Sequence, residues 1–279
     1  MPRTPTVVLI TGCSSGIGAA TASHLAEHGH VVYATARRVE TLEPLVDRGC
    51  RALALDVTDE ASMRAAVEAV EAEHGAVGAL VNNAGYSQSG ALESVPLEDV
   101  RRQFETNVFG LIGMCQLVLP GMRTAGTGRI VNIGSMGGRL TFPGGGVYHA
   151  TKYAVEAISD ALRFEVQGFG VRVALVEPGL IVTDFAKTAV ASVSADGPYA
   201  DFNRAVAERT EGAYTGPLRR LGGGPDAVAA VIRRAIESRR PRTRYRVTPS
   251  ATLAIAQRRL TPDRLWDLAM RAQFPVPKP

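Results

Sequence analysis

Along the first two-thirds of the chain, short β-branched runs alternate with longer segments of helical period. TVVLIT (6–11), VVYAT (31–35), RALAL (51–55), ALVN (79–82), RIVNI (129–133) and VRVALV (171–176) are each near-continuously apolar. A strand needs that character when helices cover both of its faces, and the intervening helical stretches supply the covers. The pattern predicts an α/β fold with a doubly wound parallel sheet. Right-handed crossovers then line the C-terminal strand ends along one edge, where ligands bind.

Past Thr183 the rhythm breaks into a polar stretch with Gly197, Pro198, Gly216, Pro217 and GGGP (222–225). Residues 183–225 read as a lid over a substrate rather than as an interdomain linker, so 1–279 is expected to form a single domain. A helix from about Asp226 to Ser238 and a strand at RYRVT restore order. The tail, 250–279, reads as an extension of two amphipathic helices broken at Pro262. Its apolar stripe is Leu253, Leu260, Leu265, Trp266 and Met270.

Composition narrows the function. With 46% hydrophobic and 21% charged residues among 279, the chain has the make-up of a soluble globular protein able to bury a sizeable core. Neither a leader nor a membrane-spanning run is evident, and a reducing cytoplasm is the expected location. The three cysteines, Cys13, Cys50 and Cys115, lack disulfide or metal-ligand spacing, so no metal is expected. Net charge is +4, much of it in Arg233, Arg234, Arg239, Arg240, Arg242, Arg244 and Arg246. No nucleic-acid signature accompanies these arginines, which read as a solvated face. Lysine, by contrast, is scarce: only Lys152, Lys187 and Lys278 occur among 31 basic residues.

TGCSSGIG (Thr11–Gly18) falls where the first strand meets the first helix. Glycines there permit a tight turn and let backbone N–H groups approach a pyrophosphate at a helix N-terminus. The same letters satisfy G-x-S-x-G, which would make Ser14 a hydrolase nucleophile served by Asp56 or Asp59 and then His74 or His149. Against that reading, the serine follows the first strand, His74 ends a helix and His149 lies within one. At the second strand end, where NAD sites carry an acid, stand Arg37 and Arg38, forked cations suited to a 2′-phosphate. NADP(H) is therefore expected over NAD(H).

In GVYHATKYAVEAI (146–158), Tyr148 and Lys152 share one helical face at i and i+4, whereas Tyr153 points a quarter turn away. A nearby ammonium can stabilise a phenolate, so the lysine is expected to lower the Tyr148 pKa. Ser135, thirteen residues earlier at the end of RIVNI, can donate to an oxygen on which negative charge develops. Asn107 is an unusual helix-interior residue and suits a polar bridge toward Lys152. His149 is expected to point off the catalytic face.

From about Thr6 to Thr183 these motifs together resemble the short-chain dehydrogenase/reductase family. Thr11, Gly12, Gly16 and Gly18 match its cofactor turn, with Ser14, Ser15 and Ile17 between them. Asp56 and Val57 match the adenine-side pair, Asn82, Asn83, Ala84 and Gly85 the N-N-A-G motif, and Asn107, Ser135, Tyr148 and Lys152 the catalytic tetrad. Pro178, Gly179 and Thr183, with Ile181 between, match the turn that holds the nicotinamide. The resemblance implies a Rossmann-type fold and hydride transfer between nicotinamide and a carbonyl or secondary alcohol. In that scheme Tyr148 is the general acid or base, Ser135 polarises the substrate oxygen, Lys152 also holds the ribose, and Asn107 supports a proton relay. A catalytically inactive NADP sensor on the same fold is the rival.

The segment beyond Thr183 is similar to longer members resembling 17β-hydroxysteroid and retinol dehydrogenases, with Phe142, Leu180, Phe185 and Tyr214 as candidates to line an apolar pocket for a steroid, retinoid, long-chain ketone or ketoacyl/polyketide carbonyl. The family also implies a homodimer or homotetramer paired through the helices of Asn107 and Tyr148. For the tail stripe three roles stay open: packing on its own domain, covering a partner's active site, or weak contact with a membrane surface.

Overall fold

The computed structural model describes residues 5–194 and 196–277. All six apolar runs form strands: β1 (Val7–Ile10), β2 (Val31–Ala36), β3 (Arg51–Ala54), β4 (Ala79–Asn82), β5 (Gly128–Ile133) and β6 (Val171–Pro178). RYRVT adds β7 (Arg244–Val247) at the sheet edge. Every pairing is parallel and the order is β3-β2-β1-β4-β5-β6-β7. The winding reverses between β1 and β4, which leaves a crevice above their C-terminal ends.

The helices are α1 (Gly16–Glu27), α2 (Glu43–Val46), α3 (Glu60–His74), α4 (Leu97–Phe104), α5 (Gly110–Thr124), α6 (Gly146–Val166), α7 (Phe185–Ala191), α8 (Ala200–Thr215), α9 (Pro225–Glu237), α10 (Pro249–Leu260) and α11 (Asp263–Arg271). Strand alternation divides them between two faces. Val8 and Ile10 of β1 join Leu25, Leu45 and Ile232 of α1, α2 and α9 in one core. Leu9, pointing the other way, joins Val67, Met114 and Val155 of α3, α5 and α6 in a second. Local chemistry agrees with these bounds: Asp59 caps α3 by accepting from the Ala61 N–H, and Gly75 ends it at φ +78°.

The stretch after Thr183 departs from the expected irregular lid. It is mostly helical, as α7, α8 and a 3-10 turn at Pro217–Leu221, with Gly197, Pro198, Gly216 and Gly222–Gly224 in the breaks. Its links to the loop after β4 are polar. Asn203, fully buried, accepts from the Ala91 N–H at 2.8 Å, and the Ser89 N–H donates to Ser192 Oγ at 2.9 Å.

The tail forms the two expected helices, but its stripe divides. Met270 is buried and Trp266 half-buried, whereas Leu253, Leu260 and Leu265 are exposed. No helix among the described residues is long and apolar enough to cross a membrane.

Candidate active site

The glycine turn is held from behind by the N-N-A-G segment. Asn83 Nδ2 donates to the Thr11 and Gly12 carbonyls at 2.9 and 2.8 Å, and Thr11 Oγ1 accepts from the Asn83 and Ala84 N–H groups, both at 3.0 Å. Thr11 and Gly18 are therefore braces outside the cleft lining. A Cβ on Gly18 would stand 2.2 Å from the Gly12 oxygen, and one on Gly12, at φ +72°, would stand 2.9 Å from Ala84 Cα. Ser15 stands at the N-cap of α1 without a side-chain capping bond, so the first-turn N–H groups face the cleft unclaimed by the helix itself. A turn shaped this way fits a pyrophosphate.

The cleft has a volume of about 1020 Å³. Ser14, Gly16, Ile17, Arg37, Asp56, Val57, Gly85, Pro178, Gly179, Ile181 and Thr183 all line it. Arg38 does not: it is exposed, and its carbonyl accepts from Thr41. Arg102 of α4 and Tyr86 line the Arg37 end as well, and no motif marks either of them. Burial raises the Tyr86 phenol, and the positive charges of Arg102 and Arg37 oppose that rise.

At the other end the four predicted catalytic residues come together. Ser135 stands two residues past β5 in extended backbone, and its Oγ accepts from the Gly137 N–H at 3.0 Å, leaving its own proton free to donate. Tyr148 lies beside Ser135. Burial pushes the phenol pKa up, Ser135 opposes this, and Tyr214 adds to it. Lys152 Nζ donates to the Ile133 carbonyl at 2.9 Å and stands 5.9 Å from the Tyr148 ring centre. Burial lowers this ammonium to about 8. The net result is a raised rather than a lowered tyrosine pKa, because in this arrangement desolvation dominates. Asn107 sits in a π-helical turn, Glu105–Phe109, which accounts for its odd place in a helix. It donates to the Tyr86 carbonyl (2.9 Å) and to Thr151 Oγ1 (3.1 Å), and accepts from the Tyr86 N–H (3.1 Å). A Cβ on Gly85 would crowd Asn107 Oδ1 at 3.1 Å and come into ordinary contact with Lys152 Nζ at 3.8 Å.

His149 corrects the expectation that it points away. It is buried and lines the cleft, with Nδ1 2.8 Å from the Gly137 oxygen and Nε2 accepting from the Phe142 N–H at 3.2 Å. Donation from Nδ1 and acceptance at Nε2 fix one neutral tautomer, and burial lowers the imidazole pKa accordingly. His149 therefore pins both ends of the loop that carries Ser135 toward Tyr148. Its ring nitrogens are committed to backbone, and His74 bonds the Tyr33 hydroxyl at 3.0 Å, so neither serves Ser14 as a hydrolase base.

Of the proposed pocket residues, Phe142, Phe185 and Tyr214 line the cleft, with Phe185 stacked 5.4 Å from Tyr148. Leu180 does not. It is buried, and its N–H donates to Ser250 Oγ of α10 at 3.0 Å. Tyr153 is 46% exposed and away from the site.

Behind the site lies an unpredicted acidic pair. Glu156, one turn beyond Lys152, faces Glu177, the residue before Pro178, and both are buried. Arg244 of β7 reaches Glu156 at 3.1 Å, Glu177 at 3.5 Å and Asp160 at 2.5 Å, while Arg246 reaches Glu177 at 3.4 Å. Two members of the C-terminal arginine cluster are thus internal counter-ions rather than a solvated face. Among the described residues no donor meets Glu156 Oε1 or either Glu177 oxygen with hydrogen-bond geometry. Burial, and secondarily the facing Glu177, push the Glu156 carboxyl up to about 7.

Comparison with known proteins agrees with this geometry. Residues 6–193 match the sequence profile described as short chain dehydrogenase. A 3-ketodihydrosphingosine reductase of Bacteroides thetaiotaomicron is 38% identical, covering 98% of this chain and 99% of that protein. An NADPH-dependent 3-dehydrocapnine reductase of Ornithobacterium rhinotracheale is 33% identical, covering 93% of this chain and 94% of the other. The crystal structure of a short-chain dehydrogenase from Streptomyces avermitilis superposes with a TM-score of 0.75 at 33% identity, over 96% of this chain and 99% of that one.

Proposed function

Because the chain belongs to the short-chain dehydrogenase family, an oxidoreductase family, we propose that it uses NADPH to reduce the 3-keto group of a long-chain amino ketone. The observation that carries this reading is Tyr148 at the meeting of two unlike ends of one cleft. One end offers glycine-turn N–H groups and paired arginines, the other Phe142, Phe185 and Tyr214. The names of the two reductases above give the keto-lipid class, and one specifies NADPH.

The cofactor supplies the hydride; the chain's own residues handle the oxygen and its proton. Ser135 donates to the carbonyl oxygen, and Tyr148 donates the proton that completes the alcohol. A phenol raised by burial is fully protonated at neutral pH, which suits reduction. Lys152, held on the Ile133 carbonyl, is a cation close enough to stabilise the phenolate left behind. Thr11, Gly12 and Gly18 shape the turn; Ser14, Ser15, Gly16 and Ile17 would hold the pyrophosphate, Asp56 and Val57 the adenine, and Pro178, Gly179, Ile181 and Thr183 the nicotinamide. The absence of an acid at the end of β2, with Arg37 and Arg102 facing the cleft, supports a 2′-phosphate there. Phe109, Tyr153 and Phe164, exposed on the helices around Asn107 and Tyr148, support pairing of two copies through that face.

The test follows NADPH and NADH oxidation with 3-ketodihydrosphingosine in wild type, Tyr148→Phe and Arg37→Asp. Tyr148→Phe is expected to lose about 10³-fold in kcat while still binding NADPH. Arg37→Asp is expected to lose its preference for NADPH over NADH. Equal turnover by Tyr148→Phe removes the proton-donor role. NADPH binding without turnover of any ketone favours the sensor instead.

A further inference from the structure

α10 and α11 turn their leucines the wrong way for a helix packed on its own protein. In α10 the buried residues are Ala251 and Ile255, one turn apart, so Leu253 and Leu260 fall on the outward face and are 55% and 83% exposed. In α11 Trp266 and Met270 face inward, and Leu265 and Leu268, one turn apart on the other side, are 58% and 63% exposed. Two successive helices thus present four outward leucines. Arg259, Arg264 and Arg271 are exposed on the same helices and make no ion pair among the described residues. Arg258 differs, being paired with Asp263 at 2.6 Å and stacked 5.4 Å from the Trp266 ring.

These helices adjoin the apolar end of the cleft. Trp266 stacks 6.0 Å from Phe142, which lines it, and α10 packs against the Met136–Gly138 turn that follows Ser135. Ser250, in the first turn of α10, accepts from the Leu180 N–H just beyond the Pro178-Gly179 turn.

We propose that α10 and α11 dock into the interface of an anionic bilayer. The four leucines enter the acyl boundary, Arg259, Arg264 and Arg271 meet headgroup phosphates, and the apolar mouth of the cleft opens toward the lipid. An amphipathic segment holds such an interface through apolar burial combined with attraction to anionic lipid, and both terms are present here. A second copy is the poorer occupant, because a symmetric contact would gather the unpaired arginines of both copies into one interface. The docking inference is independent of the substrate; its use in delivering a long-chain ketone rests on the function proposed above.

The test is co-sedimentation of the full chain with vesicles of phosphatidylcholine alone and with an equimolar mixture of phosphatidylcholine and phosphatidylglycerol. Wild type is expected to bind the mixed vesicles and to release as salt rises. Partitioning should fall about tenfold or more in Leu260→Ser/Leu265→Ser/Leu268→Ser and in Arg259→Gln/Arg264→Gln/Arg271→Gln. Unchanged melting temperature and unchanged NADPH turnover of a short water-soluble ketone would show that the variants are folded. No vesicle binding, equal binding by all three proteins, or self-association lost in the leucine variant without vesicle binding each overturns the proposal. Vesicle binding without reduction of any amino ketone would leave the docking intact and refute the substrate alone.

Discussion

The crevice above β1 and β4 and the tail helices α10 and α11 are both ligand-facing surfaces, built on opposite principles. In the crevice the backbone is locked: Asn83 fills the Thr11 and Gly12 carbonyls, Thr11 fills two N–H groups in return, and Gly18 lies where no Cβ fits. In the tail, Ala251, Ile255 and Met270 anchor the helices while four leucines stay outside. A site that must hold a charged group in fixed geometry is over-determined from behind, whereas a surface that meets a soft partner needs only an anchored helix and the right side chains.

Gly18→Ala would break the first of these most severely. Its methyl would meet the Gly12 oxygen at 2.2 Å and Asn83 Nδ2 at 2.5 Å, backbone and brace together, so relief requires moving the turn itself. The expected result is a loss of about 3 kcal/mol in denaturant unfolding, with NADPH affinity weakened at least about tenfold. Stability and affinity within error of wild type would show that the turn adapts and that the over-determination is not real.

The crevice was legible because it uses letters that mean one thing locally. Glycines at a strand-to-helix turn, an i, i+4 tyrosine and lysine, and a serine at a strand end each follow from backbone geometry, and the strands came from their period alone. What escaped depends on distant neighbours. His149 shares its helix with Tyr148, yet its role is set by Gly137 and Phe142, which no helical period reveals. Leu180 read as pocket because it follows Pro178-Gly179, but Ser250, seventy residues on, holds its backbone elsewhere. The apolar residues of the tail are plain in the sequence, but their division between two faces depends on Ala251 and Ile255 taking the inner side of α10 and Trp266 and Met270 that of α11. Arg244 and Arg246 looked like surface charge until β7 placed them beside Glu177.

Those arginines mark the seam between the two regions, since Glu156 belongs to the Tyr148 helix and Arg244 to the strand leading into α10. Glu156 has a folded pKa of about 7, raised above its ordinary value near 4.5. A group raised in this way contributes stability that is present below about pH 4.5 and is lost as pH rises to about 7. Glu156→Gln removes the titration, so relative to the variant the wild type should weaken across that window by of order 2 kcal/mol. Parallel unfolding curves from pH 4.5 to 8 measure the difference. A gap independent of pH would mean that Arg244, together with Arg139 at 3.4 Å from the same carboxylate, holds Glu156 ionised throughout.

The smallest effect probes whether the segment after Thr183 unfolds with the sheet or apart from it. Gly212 lies in the interior of α8, exposed, and a Cβ there would meet nothing within 4 Å. Alanine therefore gains helix propensity without a clash, about 0.5 to 1 kcal/mol. That gain reaches global stability only if α8 melts cooperatively with the core. The bonds from Ala91 to Asn203 and from Ser89 to Ser192 tie the segment to the loop after β4, so a rise of this size in denaturant unfolding is expected for Gly212→Ala. If global stability stays unchanged while amide exchange within α8 slows, the two polar links do not couple it to the sheet. The segment then opens on its own, and the rigidity seen in the crevice ends at Thr183.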